Sequence, residues 1–131
     1  MTEEKKDFFV SDISLSYQYT AGNATTRFLN KVAEGKLVAQ KCPKCSAVYV
    51  PPRGSCPRCG VATEEELELP DTGAVESFTI VHIPIPGNPI VPPYVSAMIR
   101  LDGADISFLH LIQEIDLADI RIGMRVQAVW K

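Results

Sequence analysis

Positive charge is in short supply in this sequence. Its 131 residues hold 13 Lys and Arg against 16 Asp and Glu, a formal net charge of −3, whereas a protein devoted to phosphate backbones carries a basic balance. No stretch approaches the roughly 20 apolar residues that span a bilayer, and the opening MTEEKKDFFV lacks the apolar centre of a secretory signal. No membrane partner is expected, and the cytoplasm is the expected compartment. A Gly-x-Ser-x-Gly elbow and a glycine-rich phosphate loop are both missing. Histidine is down to two residues, His82 and His110, each inside an apolar run that suits a core or interface position better than a general base. Apolar residues at 46% and charged residues at 22% still describe a folded chain, of one domain or two very small modules. That leaves little room for a full catalytic pocket, so no activity is expected of the chain alone.

Proline is missing from both ends. All ten prolines fall between Pro43 and Pro93, which separates a start, a punctuated middle and an end. In the start, Ile13-Ser14-Leu15-Ser16-Tyr17-Gln18-Tyr19-Thr20 alternates apolar and polar with period 2, the pattern of an extended arm or edge strand with one apolar face. Asn23 or Thr25 is then placed to cap a short helix whose Ala24, Phe28, Leu29, Val32 and Ala33 share a face, with Gly35 as its stop. Towards the end, strands are expected over residues 74–83, 94–101, 106–111 and 125–130. Turns at Asp71-Thr72-Gly73, Leu101-Asp102-Gly103 and Arg121-Ile122-Gly123 separate them, the pattern of a small antiparallel barrel. Asp102 and Asp105 beside Gly103 fit a tight turn better than an acid pair. Residues 84–93 form a loop stiffened by five prolines, and Ile85, Ile90 and Val91 in it offer a contact surface. Glu64, Glu65, Glu66, Glu68 and Asp71 read as a solvated linker or the outer face of a strand.

The middle segment carries the four cysteines of the chain, Cys42, Cys45, Cys56 and Cys59, as two CxxC pairs flanking a short hairpin through Ala47-Val48-Tyr49-Val50. A CxxC turn sets two sulfurs on one side of a tight loop, and two such loops complete a tetrahedron around a metal with Zn–S near ~2.3 Å. In a reducing compartment this spacing points to metal rather than disulfides. Structural zinc is the expected occupant, with an iron centre on the same ligands as the alternative. Thioredoxin-type chemistry uses one CxxC at a helix start in a βαβ setting, which is not the pattern here. Four thiolates leave no open position at which a metal activates water. No Asp or Glu lies between Ala39 and Gly60, so Lys41, Lys44, Arg53 and Arg58 make this segment a basic knob on an acidic protein.

The order of features is itself informative. A short helix leads to Gly35-Lys36-Leu37, then a CxxC ribbon followed by Pro51-Pro52-Arg53, a strand start at Gly73, Pro92-Pro93-Tyr94-Val95, and a closing Gly123-Met124-Arg125-Val126. Over most of residues 24–131 this resembles the small zinc-ribbon plus OB-fold proteins, long a domain of unknown function, that accompany thiolase-superfamily enzymes. Residues 102–111 and 125–130 look most like the module paired with lipid-transfer-protein-like aldolases that cleave acyl-CoA intermediates of steroid side-chain breakdown. In relatives the module can follow a hydratase-like domain. The extended start departs from the paired helices common in the family.

The resemblance implies a mainly β fold: an N-terminal arm and helix over residues 1–36, a rubredoxin-like zinc ribbon over 37–63 and an OB-fold barrel over 64–131. It implies a non-catalytic subunit that docks on a thiolase-fold partner as a hetero-oligomer, stabilises it and helps form its acyl-CoA site. Lys41, Lys44, Arg53 and Arg58 are the candidate contacts for the phosphates of coenzyme A. An accessory subunit of a thiolase or acyltransferase is the alternative. A ribbon beside an OB-fold also serves single-stranded nucleic acid, through bases stacked on aromatics in a basic groove. Phe78, Tyr94, Phe108 and Trp130, with only Arg100, Arg121, Arg125 and Lys131 as cations, read instead as barrel core. Phe108 and His110 share a face, from which His110 can point out of the barrel rim towards a partner.

Overall fold

A computed structural model describes residues 7–131; the first six residues of the expected N-terminal segment lie outside the described residues. Residues 7–20 run without helix or strand and are exposed throughout, which makes the alternating segment an arm and not an edge strand. Helix α1 follows at Gly22–Ala33. Neither Asn23 nor Thr25 caps it: Ala21 holds the N-cap position with no side-chain hydrogen bond. The chain turns into the helix at Gly22, with φ +77°, a conformation open to glycine, and this sets the start ahead of Asn23. The C-terminus ends as expected on Gly35, where Gly35 N donates to Val32 O at 2.9 Å and Lys36 N to Lys31 O at 2.9 Å. Those two bonds define a Schellman stop. Of the expected face, Phe28 and Val32 pack against the core, while Leu29 and Ala33 stay exposed.

The ribbon sheet is antiparallel with strands β1 (Leu37–Lys41), β2 (Val48–Tyr49) and β3 (Glu65–Leu69) in the order β2-β1-β3. Strand β1 is central and buried from Leu37 to Gln40. The acidic run is the outer strand face, with Glu65, Glu66 and Glu68 exposed and Leu69 turned into the core. Register places Glu65 opposite Lys41 and Glu66 opposite Gln40, and ion pairs join Arg27 to Glu66 at 3.0 Å and Lys36 to Glu68 at 3.7 Å. Such exposed pairs contribute little individually.

The second sheet holds β4 (Thr72–Val81), β5 (Tyr94–Leu101), β6 (Phe108–Ile112) and β7 (Arg125–Gln127), antiparallel in the order β6-β5-β4-β7. Its inner face carries Val75, Val95, Ala97 and Ile99, closed by Ile120. A bulge between Val75 and Ser77 bends β4 and aims Glu76 at Arg100 and Ser107, both of which bond its carboxylate. The last strand stops short of residue 130. Ala128 N still reaches Asp71 O at 2.8 Å, but the next residue along the partner strand is Pro70, which has no N–H to extend the ladder. In the proline loop Asn88 bonds Tyr94 and the Ile90 amide. Ile85 and Val91 are exposed and Ile90 is half-buried.

Among the described residues the second sheet is open, with β6 and β7 as its edges, and not closed into the barrel that the strand pattern predicts. The ribbon and this OB-type unit, the barrel side of the molecule, share one apolar cluster, in which Leu37, Ala39, Val48 and Val50 meet Leu69 and Leu101, with Phe28, Ala104 and Phe108 around them. The expected turn at Asp102 and Asp105 is what ties them. Val48 N donates to Asp105 Oδ2 at 2.8 Å, and Asp105 N returns a bond to Val48 O at 3.0 Å. Asp102 instead accepts Arg125 Nη1 at 2.8 Å and Thr72 Oγ1 at 2.6 Å. These partners, Arg125 first, hold its carboxyl well below the usual carboxylate range. A depressed folded-state pKa gives stability that is present above the unfolded carboxylate value, near ~4, and lost as pH falls below it. The difference in stability between the wild type and Asp102→Asn should therefore shrink as pH is lowered from 5, measured by urea unfolding with Trp130 as the fluorescent probe. A second test concerns Gly73, where a Cβ would sit 2.5 Å from Arg100 O. Gly73→Ala forces two strand backbones apart and should cost about 1–3 kcal/mol in the same assay.

Candidate metal centre

The first CxxC pair sits in the turn leaving β1. Cys42 N donates to Ala47 O at 2.9 Å and Ser46 N to Cys42 O at 2.9 Å, which curls Lys44 N and Cys45 N towards Cys42 Sγ, each at 3.4 Å. The second pair repeats the device in a hairpin spanning residues 54–63. There Cys56 N donates to Val61 O at 2.8 Å and Gly60 N to Cys56 O at 2.8 Å. The tight turn needs a positive φ at its last position, 65° at Gly60 and 62° at Ser46. The glycine adopts it freely, and the serine does so against the ordinary preference of an L-residue.

All four sulfurs lie within 4.8 Å of one another. A tetrahedron with Zn–S of ~2.3 Å has edges of about 3.8 Å, and Cys45 Sγ and Cys56 Sγ stand 3.7 Å apart. Cys42, Cys45, Cys56 and Cys59 therefore fit a metal ion in number, donor type and spacing, and zinc bound by all four would brace the ribbon without offering a site for substrate.

Around the ligands lies a shell that spacing alone did not reveal. Tyr49, buried on β2, places its hydroxyl 3.3 Å from Cys56 Sγ. The bond to Cys56 and burial push that hydroxyl up to about 12, so it stays a donor at neutral pH, and its hydrogen bond draws the Cys56 thiol below its ordinary value. Ala47, Val61 and Ile106 enclose the sulfurs. Ile106 comes from the barrel side and fills this shell in place of the strand position expected for it. The signal available in sequence was the alternation Ala47-Val48-Tyr49-Val50, which puts Ala47 and Tyr49 on one face.

The four ribbon cations are distributed around this centre. Lys44 and Arg58 are exposed inside the two CxxC turns, Lys41 ends β1 half-buried, and Arg53 is exposed with its guanidinium 5.9 Å from the Tyr49 ring centroid. That distance suits a cation–π contact. Among the described residues none of the four takes part in an ion pair, whereas Arg100 and Arg125 on the barrel are paired with Glu76 and Asp102. His82 and His110 are exposed, which corrects the core reading: His82 lies just beyond the end of β4, and His110 faces outward at 6.1 Å from Phe108, edge to face. No helix among the described residues is long and apolar enough to cross a membrane.

A four-thiolate ribbon fused to an antiparallel OB-type sheet defines a small zinc-ribbon plus OB-fold protein. Residues 30–65 match the family model "ChsH2, rubredoxin-like zinc ribbon domain", and residues 66–131 match "ChsH2, C-terminal OB-fold domain". The chain belongs to this ChsH2 zinc-ribbon and OB-fold family. It is 37% identical over 97 residues to a DUF35 domain-containing scaffold protein of Methanocaldococcus jannaschii, covering 72% of this chain and 67% of that protein. It is 34% identical over 95 residues to a probable enoyl-CoA hydratase alpha subunit of Thermomonospora curvata, covering 72% of this chain but only 29% of that protein. Among solved structures, a DUF35-family protein of unknown function from Sulfolobus solfataricus superposes with a TM-score of 0.66 at 28% identity, covering 81% of this chain and 75% of that one. The Ltp2-ChsH2(DUF35) aldolase does so with a TM-score of 0.66 at 29% identity, covering 78% of this chain and 79% of that one.

Changing Cys42 or Cys56 to Ser should abolish stoichiometric zinc, measured by elemental analysis of the purified chain. Tyr49→Phe should retain all four ligands but weaken zinc roughly 10- to 100-fold in a chelator competition, the usual effect of losing an outer-shell bond to a ligand.

Proposed function

We propose that this chain is a non-catalytic accessory subunit that docks on a thiolase-fold acyl-CoA enzyme, stabilises it and contributes to its acyl-CoA site. The finer reading is a partner that carries out retro-aldol cleavage of acyl-CoA intermediates from steroid side chains. The observation that carries the proposal is apolar surface without apolar cover. Ile13, Leu15, Tyr17 and Tyr19 are each at least 80% exposed, and Ile85 and Val91 of the proline loop are exposed with them. Apolar surface of this extent on a folded chain marks an interface. A closed metal site, and exposed histidines with no acid or nucleophile partner among the described residues, support a reading in which the catalytic groups belong to another chain. Similarity to a scaffold protein and to an Ltp2-ChsH2 aldolase supports the same direction. A reducing compartment, the cytoplasm, suits such a complex and its four cysteine ligands.

Coenzyme A is polyanionic at one end, and Lys41, Lys44, Arg53 and Arg58, which form no ion pair among the described residues, suit its phosphates by charge-assisted hydrogen bonds. Phe78 and Trp130 are exposed and not the core residues that their place in the strands predicts, but nucleic acid still fits less well, because Arg100 and Arg125 on the same sheet are already committed to carboxylates.

Affinity purification of the tagged chain from its native host, with mass spectrometry of what it retains, should recover a thiolase-superfamily subunit in stoichiometric amount. Recovery of a thiolase or acyltransferase would select that alternative over the aldolase. A stable monomer that retains no enzyme subunit would overturn the proposal. In the recovered complex, Lys44→Ala with Arg53→Ala should raise KM for acyl-CoA roughly 3- to 10-fold with kcat little changed, as expected for exposed charge contacts. An unchanged KM would remove the coenzyme A role and leave the subunit role standing.

A further inference from the structure

Gln40 is an unusual residue to find at the centre of a small protein. It lies on β1, two positions before Cys42, and is 0% exposed. Its Oε1 accepts two hydrogen bonds, from Gly54 N at 3.0 Å and from the buried Thr63 Oγ1 at 3.1 Å. Its Nε2 is buried with no partner among the described residues. An unpaired amide nitrogen in the interior is unfavourable, and an apolar side chain of the same length would fill this space without it. The acceptor oxygen is therefore what distinguishes glutamine at this position.

The two donors are the ends of one unit. Thr63 N bonds Gly54 O at 3.1 Å, and Ser55 bridges Ala62, so residues 54–63 close on themselves as a hairpin that presents Cys56 and Cys59. This hairpin lies outside the β2-β1-β3 ladder. Among the described residues, its other hydrogen bonds to the chain run to or from sulfur, between Cys56 and Tyr49 or Cys45. One oxygen atom thus grips both stems of the hairpin and fastens them to the strand that leads into the first CxxC pair.

We propose that Gln40 is a positioning residue for the metal centre. Its amide oxygen sets the second CxxC hairpin against the first before metal arrives, so that four sulfurs converge without help from the ion. Preorganisation of this kind reduces the ordering cost of binding, and removing it should lower metal affinity although no ligand is touched.

The test uses the full chain with Gln40→Met, which keeps length and apolar bulk but offers no comparable acceptor. Zinc affinity by chelator competition should fall roughly 10- to 100-fold. The cobalt(II) complex should show weakened or shifted visible d–d bands, reporting a distorted tetrahedron. Should Gln40→Met fail to fold, Thr63→Val removes one of the two bonds at constant volume and should weaken zinc by a smaller factor, with Thr63→Ser restoring it. If the folded variants keep wild-type affinity and cobalt spectrum, the proposal fails. It fails equally if Gln40→Met only lowers the urea midpoint of the metal-free chain, since Gln40 would then serve the fold and not the metal.

Discussion

Four sulfurs held within 4.8 Å of one another are a concentration of charge that a small protein cannot tolerate unassisted. As thiolates they carry four negative charges, and a divalent cation removes only two. Much of what surrounds the site answers the remainder. The amides of Lys44 and Cys45 point at Cys42 Sγ, the Tyr49 hydroxyl at Cys56 Sγ, and no carboxylate occurs in the chain between Ala39 and Gly60. Acidic side chains return only at Glu64 and along β3, where Glu65, Glu66 and Glu68 are exposed on the outer strand and Arg27 and Lys36 pair with two of them.

The metal site braces more than the ribbon. Strand β1 ends in the first CxxC turn and contributes Leu37 and Ala39 to the cluster shared with Leu101 and Phe108 of the barrel. Ile106 crosses in the other direction, from the barrel into the sulfur shell. Asp105 adds two bonds to Val48 between the two units. Burying large aliphatics in such a cluster is worth roughly 1.5–3 kcal/mol each. Ribbon and barrel side are thus joined by shared packing and hydrogen bonds into one platform.

The parts of this platform legible in sequence are those governed by local rules. CxxC spacing gives the ligands, Gly35 gives the helix stop, and β5 falls on residues 94–101 as its alternation requires. Other features depend on neighbours distant in sequence. Asn23 and Thr25 are good caps by type, but the turn at Gly22 sets the helix start before either can act. Leu29 and Ala33 share the apolar stripe with Phe28, yet of the helix residues it is Phe28 and Val32 that pack against the shared cluster, with Ala24 half-buried beside Gly54. The acidic run reads as a linker or the outer face of a strand, and it is Leu67 and Leu69, packed inward, that decide for the strand. Strand β7 stops because Pro70 faces its continuation. Gln40 and Tyr49 look ordinary in sequence because their partners are brought to them by the hairpins, 14 and 7 residues away.

The distribution of unspent interactions gives the molecule its polarity. On the barrel sheet, Arg100 and Arg125 are neutralised by Glu76 and Asp102, and the bulge that aims Glu76 at Arg100 belongs to the geometry of β4. On the ribbon, Lys44, Arg53 and Arg58 are exposed with no ion pair among the described residues, and their charge lies over thiolates that a bound dication only half offsets. An anion approaching the chain thus meets free cations at the ribbon, fixed on turns that the metal site makes rigid. Apolar contacts are available elsewhere, along the arm and the proline loop. The arm, residues 7–20, forms neither helix nor strand and is exposed, whereas the ribbon cations sit on hydrogen-bonded turns. Under the function proposed above, attachment falls to the arm and recognition of the coenzyme A phosphates to the ribbon.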